Sequence, residues 1–245
     1  MPLAFVPTWA EPVARYMLEE GLKNTAQMAG IALAISAVAG LLLGTLLTID
    51  FLPSRSAIRL YIEVWRGLPI IVTIMLAYYM LPALPLGYTP SAFEAGAYGL
   101  GLWGSAQVAE ATRGAVQSIP RDQHQAASAL GFGWVGRHAF VILPQAFRRL
   151  LPPMVSLLVN VIQNTTLAAI IGVAEVLQTG QRSVERLQLL EGDGHAFEIF
   201  GAVLVVFFVI SFPLTRLAAY LERRLSHERA APHEVVKEEA LVLGA

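Results

Sequence analysis

The chain has 245 residues, 56% of them hydrophobic and only 14% charged, with a net charge of −1 and a mean hydropathy of +0.58. Soluble domains average about 25% charged residues, so the balance points to a membrane protein, and the net charge implies no overall electrostatic attraction to nucleic acid. The absence of cysteine excludes disulfides, thiolate metal sites and cysteine catalysis.

Residues 1–20 lack a basic region running into a short apolar core, so no cleaved signal peptide is expected. They form an extracytoplasmic N-terminal segment, and the first apolar span serves as the insertion signal. A hydrocarbon core about 30 Å thick needs about 20 apolar helical residues. Nothing between Lys23 and Asp50 is charged, which places the first span there. The second is expected as one helix from near Ile58 to near Pro82, and the third within 91–116, where Glu94 and Glu110 interrupt it. The fourth runs from Leu150 to Ala174 and the fifth lies between Glu198 and Arg216. Period-2 alternation is absent, so a barrel is not expected. The fold class is an all-α integral membrane protein with about five transmembrane helices over residues 21–224.

Orientation follows from where Lys and Arg fall. With the N-terminus outside, 13 of the 17 lie on the cytoplasmic side, leaving Arg15, Lys23, Arg182 and Arg186 outside. The C-terminus is then cytoplasmic, and residues 225–245 are expected as a disordered tail. No repeat of 20–50 residues is evident. Gly40 and Gly44 form G-x-x-x-G, weak evidence by itself for any one contact.

One segment does not fit a purely lipid-like chain. The cytoplasmic loop 117–149 includes "RDQHQAASALGFGWVGRHAFVILPQAFRR", which is polar and helix-friendly. A short helix is expected over "QHQAASALGF", stopped by Gly131 and Gly133. A second covers "WVGRHAFVILP", and Pro144, Pro152 and Pro153 punctuate the entry to the fourth span. The small pair Ala126 and Ala127 allows close approach of a partner. Two roles stay open: a connector that shields helix ends, or a docking element. His124 and His138 lie 14 apart, a spacing that suggests no helical metal pair, and read as surface or packing residues.

The loop resembles the EAA motif of ATP-binding-cassette importer permeases. Gln125, Ala126 and Ala127 are followed at matching spacing by Gly131, Val141 and Leu143-Pro144, with glutamine in place of glutamate and valine in place of isoleucine. "YIEVWRGLPIIV", "AEATRGAVQSIPRDQ" and "QNTTLAAIIGVAEV" are similar to stretches of the polar amino acid branch of that family. Leu68 stands where threonine is common there, and Asp122 where glycine is common. The resemblance implies a coupling helix at Gln125, Ala126, Ala127, Leu130 and Gly131, seated on a separate ATPase subunit. It also implies an extracytoplasmic solute-binding protein, a second permease subunit, identical or homologous, and a bacterial inner membrane. The chain has no G-x-x-x-x-G-K-[ST] phosphate loop. It is therefore expected to be a transport subunit and not an enzyme, binding no cofactor or metal, with ATP hydrolysed by the partner.

Two groups of polar residues lie inside the spans. Glu63 with Arg66, and Glu110 with Arg113, are spaced i,i+3, so each pair shares a helix face. Unpaired charges in lipid are costly, which predicts an ionic cluster of Glu63, Arg66, Glu110 and Arg113 across the second and third spans. It serves either as a structural lock or as part of an inner gate. Asn164, Thr165 and Thr166 fall near half the bilayer depth, where they suit a substrate pocket or interhelical hydrogen bonds. Family members often carry aspartate where Asn164 stands, which implies an acidic or neutral amino acid rather than a basic one. Arg66 is one conceivable partner for the substrate carboxylate. Another small polar solute is the nearer alternative cargo. An ion-coupled secondary transporter predicts more helices or an inverted repeat. An intramembrane enzyme predicts motifs such as H-E-x-x-H or G-x-S-x-G, which are absent.

Overall fold

The chain opens with α1 (Ala10–Tyr16), which passes through a π-helical turn (Met17–Leu22) directly into α2 (Lys23–Leu46). The structure is a computed structural model that describes residues 7–48, 55–85 and 87–242, with side chains as far as 225; every regular element among the described residues is helical. Three stretches are long and apolar enough to cross a membrane: Ala10–Leu46, Trp134–Ile171 and Ala196–Leu225. The first, at 37 residues, is about 55 Å long at about 1.5 Å per residue. That exceeds a hydrocarbon core of about 30 Å, so α1 and the π turn extend past the bilayer.

The second expected span is not one straight helix. It divides into α3 (Arg55–Gly67) and α4 (Ile70–Tyr79), and the α3 axis meets that of Ile70–Ala83 at 108°. Pro69 carries no N–H and biases Leu68 away from helical dihedrals; Pro69 itself is extended, at ψ 137°. α3 is amphipathic, whereas α4 is apolar throughout. If the bent pair counts as one span, the apolar stretches number four.

α5 (Ala92–Gln117) starts at Ser91 with a reciprocal cap, the Ser91 hydroxyl accepting from Glu94 N–H and the Glu94 carboxylate accepting from Ser91 N–H. It is the central helix and packs on α2, α3 and α4. Its sequence is less apolar than the other spans because it buries backbone through small residues such as Ala95, Gly99 and Ala106. Met28, Ala32, Ile74, Leu100 and Val161 form the main core around it. The G-x-x-x-G pair is the seam between α2 and α5. A Cβ on Gly40 would meet the Ser105 carbonyl at 2.8 Å and the Val108 side chain, and one on Gly44 would meet the Ala109 carbonyl. Backbone cannot yield as a side chain can, so Gly40→Leu is expected to destabilise the fold by about 3 kcal/mol, the upper end for overpacking. Thermal unfolding in detergent checks this.

After α5 come α6 (Arg121–Ala129) and α7 (Trp134–Arg137). A π turn (His138–Ile142) leads into α8 (Leu143–Asn164), followed by a 3-10 segment (Thr165–Ile171). Of the three prolines only Pro144 marks an entry, that of α8. Pro144 sits in the first turn of α8, and Pro152 and Pro153 lie inside it. A proline ring clashes with the carbonyl four residues back, and the wider π turn ahead of Pro144 relieves that register. Trp134–Ile171 is 38 residues long, again too long for one crossing, so its first part, including His138, lies on the loop side of Leu150. α9 (Val176–Glu191) and α10 (Ala196–Val242) complete the chain. The helical backbone of α10 continues to Val242; Ala, Glu, Arg and Leu after residue 225 favour helix.

Candidate functional site

α6 ends in a turn that its sequence dictates. Gly131 has φ +84° and donates to the Ser128 carbonyl at 3.0 Å, while Phe132 N–H reaches the Ala127 carbonyl at 3.2 Å. This 6→1 and 5→2 pair is a Schellman stop, and the left-handed residue inside it favours glycine. Gly133 plays a different part, as the extended residue that starts α7. Gln125, Ala126 and Leu130 are exposed, whereas Ala127 is buried in its own chain. Only Ala126 of the small pair is therefore on the free face. Leu130, Val135 and Phe140 are 78, 72 and 74% exposed, and with Phe132 they make an apolar patch beside α6.

Side-chain hydrogen bonds join α6 to α7 and to the start of α8, and α8 to the end of α5. Gln145 Nε2 donates to Gln123 Oε1 at 3.3 Å, Arg137 Nη1 donates to Ser128 Oγ at 2.9 Å, and Arg149 Nη1 donates to Ser118 Oγ at 2.8 Å. His138 is buried and stacks on Trp134, with ring centroids 4.0 Å apart, which agrees with a packing role. Burial, then the Arg137 charge, hold the His124 pKa below its ordinary value.

Three of the four predicted charges come together. Arg113 Nε donates to Glu110 Oε2 at 3.0 Å, and Arg66 Nη1 lies 4.0 Å from Glu110 Oε1 across the α3–α5 contact. Glu63 does not join them; it is exposed and has no ion pair among the described residues. The other predicted polar group turns to its own backbone. Asn164 Nδ2 donates to the Asn160 carbonyl at 2.7 Å, Thr165 Oγ1 to Ile162 at 2.7 Å and Thr166 Oγ1 to Gln163 at 2.8 Å. Thr165 is fully buried. No hydrogen bond joins Arg66 to these three among the described residues.

A cleft of about 350 Å³ opens between α5 and α8, lined by Trp103, Gln107, Met154, Ser156, Leu157 and Asn160 among others. Sequence reasoning missed Gln107, Ser156 and Asn160. Each is a single uncharged polar residue inside an apolar stretch, a signal available in the sequence but without meaning until α5 and α8 are known to face each other. Small-solute sites combine apolar walls with a few polar groups of this kind.

At the start of α9, the fully buried Glu175 acts as the cap. Its carboxylate accepts from Leu177 N–H at 2.8 Å and Gln178 N–H at 2.7 Å. Burial pushes its pKa above the ordinary 4.5, against the downward pull of those two donors. A raised folded pKa means the folded chain binds the proton more tightly. The stabilisation is fully present below the unfolded pKa and is lost as pH rises through the folded one. As pH rises from about 4.5, the thermal midpoint of the native protein in detergent is therefore expected to fall relative to that of Glu175→Gln, a comparison in which the opposing contributions of other groups cancel.

These features coincide with a known kind of protein. The sequence profile of the family described as the inner membrane component of binding-protein-dependent transport systems matches residues 36–227. The chain is 35% identical over 209 residues to the glutamine transport system permease protein GlnP of Escherichia coli (strain K12), covering 85% of this chain and 93% of that one. It is 28% identical over 216 residues to the glutamate/aspartate import permease protein GltJ of the same strain, covering 84% and 85%. Among solved structures, an amino acid ABC transporter crystallised with histidines matches with TM-score 0.73 and 26% identity, over 89% of this chain and 99% of that chain. An inward-facing MetNI methionine ABC transporter shares the fold at TM-score 0.69 and 18% identity, over 88% and 99%. An all-helical membrane bundle with a capped inner helix and this sequence match has one assignment: the chain belongs to the family of binding-protein-dependent inner membrane transport components, the permease subunits of ABC importers.

Proposed function

We propose that this chain is the membrane-spanning half of an ATP-driven importer for polar amino acids, acidic or neutral rather than basic. The observation that carries the reading is α6. It is a short helix held by a Schellman stop, presenting Gln125, Ala126 and Leu130 outward beside an apolar patch. Such a patch fits a partner surface, and a nucleotide-hydrolysing subunit is the partner that the family implies. This chain binds no nucleotide, cofactor or metal of its own; ATP is bound and hydrolysed by that subunit. An extracytoplasmic solute-binding protein delivers the solute, and a second permease subunit completes the pathway.

In this reading α5 and the bent α3–α4 pair join the three apolar stretches to give five spans. The N-terminus is outside, the C-terminus is cytoplasmic, and 117–149 is the inner coupling loop. The α5–α8 cleft, with Gln107 and Asn160, lines the solute path, and the uncharged Asn164 disfavours a cationic ligand. The names of GlnP and GltJ support amino acids as cargo. The test is uptake into proteoliposomes holding the complete complex, with a panel of acidic, neutral and basic amino acids. Accumulation of glutamine or glutamate with none of lysine or arginine is expected. Accumulation of basic amino acids alone, or of a solute outside the class alone, contradicts the cargo.

A further inference from the structure

His138 does more than fill space beneath the loop. The ring is 4% exposed and reaches two different parts of the chain. Nδ1 lies 2.9 Å from the carbonyl of Trp134, at the start of α7. Nε2 lies 3.4 Å from Oγ1 of Thr48, just past the inner end of α2. Its ring is 6.2 Å from that of His124 on α6. One side chain thus touches the loop and the first span together, across 90 residues of sequence. We propose that His138 is the positioning residue that carries displacement of the inner loop to α2, its protonated ring holding Thr48 through one nitrogen and the Trp134 carbonyl through the other. The inference rests on the ATP-driven function proposed above and deepens it.

Counting protons shows when this tie is closed. A carbonyl only accepts, so Nδ1 carries a hydrogen toward Trp134. The Thr48 hydroxyl has one hydrogen and directs it to the Thr45 carbonyl at 2.6 Å. In the neutral ring Nε2 is then a bare acceptor facing the Thr48 lone pairs, which fits the long 3.4 Å separation. A second proton on the ring turns Nε2 into a donor to Thr48 while Thr48 still donates to Thr45, and every group is satisfied. Among the described residues, the charged and titratable groups acting on the ring are Arg137 of α7 and His124 of α6, and Thr48 beyond α2 is uncharged. Burial first, then Arg137 and His124, hold the imidazole pKa below its ordinary value, against the Trp134 carbonyl. At neutral pH the ring is uncharged and the tie is loose, and acidification of the inner side closes it.

The measurement is solute taken up per ATP hydrolysed by the complete complex in proteoliposomes, with inner pH set from about 7.5 to about 5, to reach below the ordinary imidazole value. The ratio is expected to rise as inner pH falls. His138→Phe, which keeps an aromatic ring without the hydrogen bonds, and Thr48→Val, which keeps the shape, should each lower the ratio at the acid end of that range roughly two- to tenfold, the range for one lost hydrogen bond, and leave it unchanged at a pH of about 7.5. Both should flatten the pH profile, and the double variant should be no worse than either alone. Thr48→Val leaves the loop intact and decides the matter if His138→Phe fails to fold. Because the chain has no cysteine, Thr48→Cys with His138→Cys can be joined by a short bis-thiol reagent, and cross-linking should restore the ratio. ATP-driven uptake with wild-type ratios and pH slopes in both single variants overturns this inference alone. Wild-type uptake that ignores ATP overturns the importer reading and this inference with it.

Discussion

Glu110→Arg is expected to remove nearly all correctly assembled protein from the membrane. Glu110 is the single carboxylate between Arg66 and Arg113 in the observed cluster. Reversing it leaves three cations facing one another where helices α3 and α5 meet. Insertion scales put an uncompensated charge at about 2.5–3.5 kcal/mol at a helix centre. Partial exposure of Glu110 and Arg113 lowers that figure, yet the loss of a partner falls on both arginines together. Glu110→Arg with Arg113→Glu restores a carboxylate within reach, and should recover most of the folded yield by size-exclusion chromatography and thermal unfolding. If the double reversal rescues neither assembly nor transport, direct pairing is wrong.

The second large effect is expected at the inner helix. A leucine at Gly131 must adopt φ near +84°, which costs about 1–2 kcal/mol for an L-residue. It also disrupts the two hydrogen bonds that stop α6. Ala126→Trp differs in kind: it adds bulk on the exposed face and leaves the chain's own packing alone. Both variants are expected to lose ATP-driven uptake by at least about tenfold, equivalent to about 1.4 kcal/mol. Only Gly131→Leu should also lower thermal stability. Co-purification of the ATPase subunit reads the first effect, and unfolding of the isolated chain reads the second. Full uptake in Ala126→Trp would contradict α6 as the contact.

Some of this was legible in the residues. The spacing of Glu110 and Arg113 is enough to predict their pairing, because i,i+3 neighbours share a face whatever surrounds them. The Gly131 stop was equally local. The same spacing rule puts Glu63 on the face of Arg66, but spacing names a face and not the neighbour it meets; Arg66 reaches Glu110 while Glu63, one turn earlier, stays exposed. The break at Pro69 was written in Leu68-Pro69, yet the uncharged run across it suggested one helix. Ala127 looked like an open contact because a small residue serves equally well against a partner or against its own chain. The cleft residues Gln107 and Asn160 acquire meaning only from the crossing of α5 and α8, which no local pattern encodes.

In the proposed function, α6 passes force from a nucleotide-hydrolysing subunit to the helix bundle. The direct measurement is solute flux into proteoliposomes holding this chain, its permease partner and the binding protein, with and without the ATPase subunit. Accumulation against a gradient only when the ATPase subunit and ATP are both present is the predicted result; equal accumulation in their absence contradicts it.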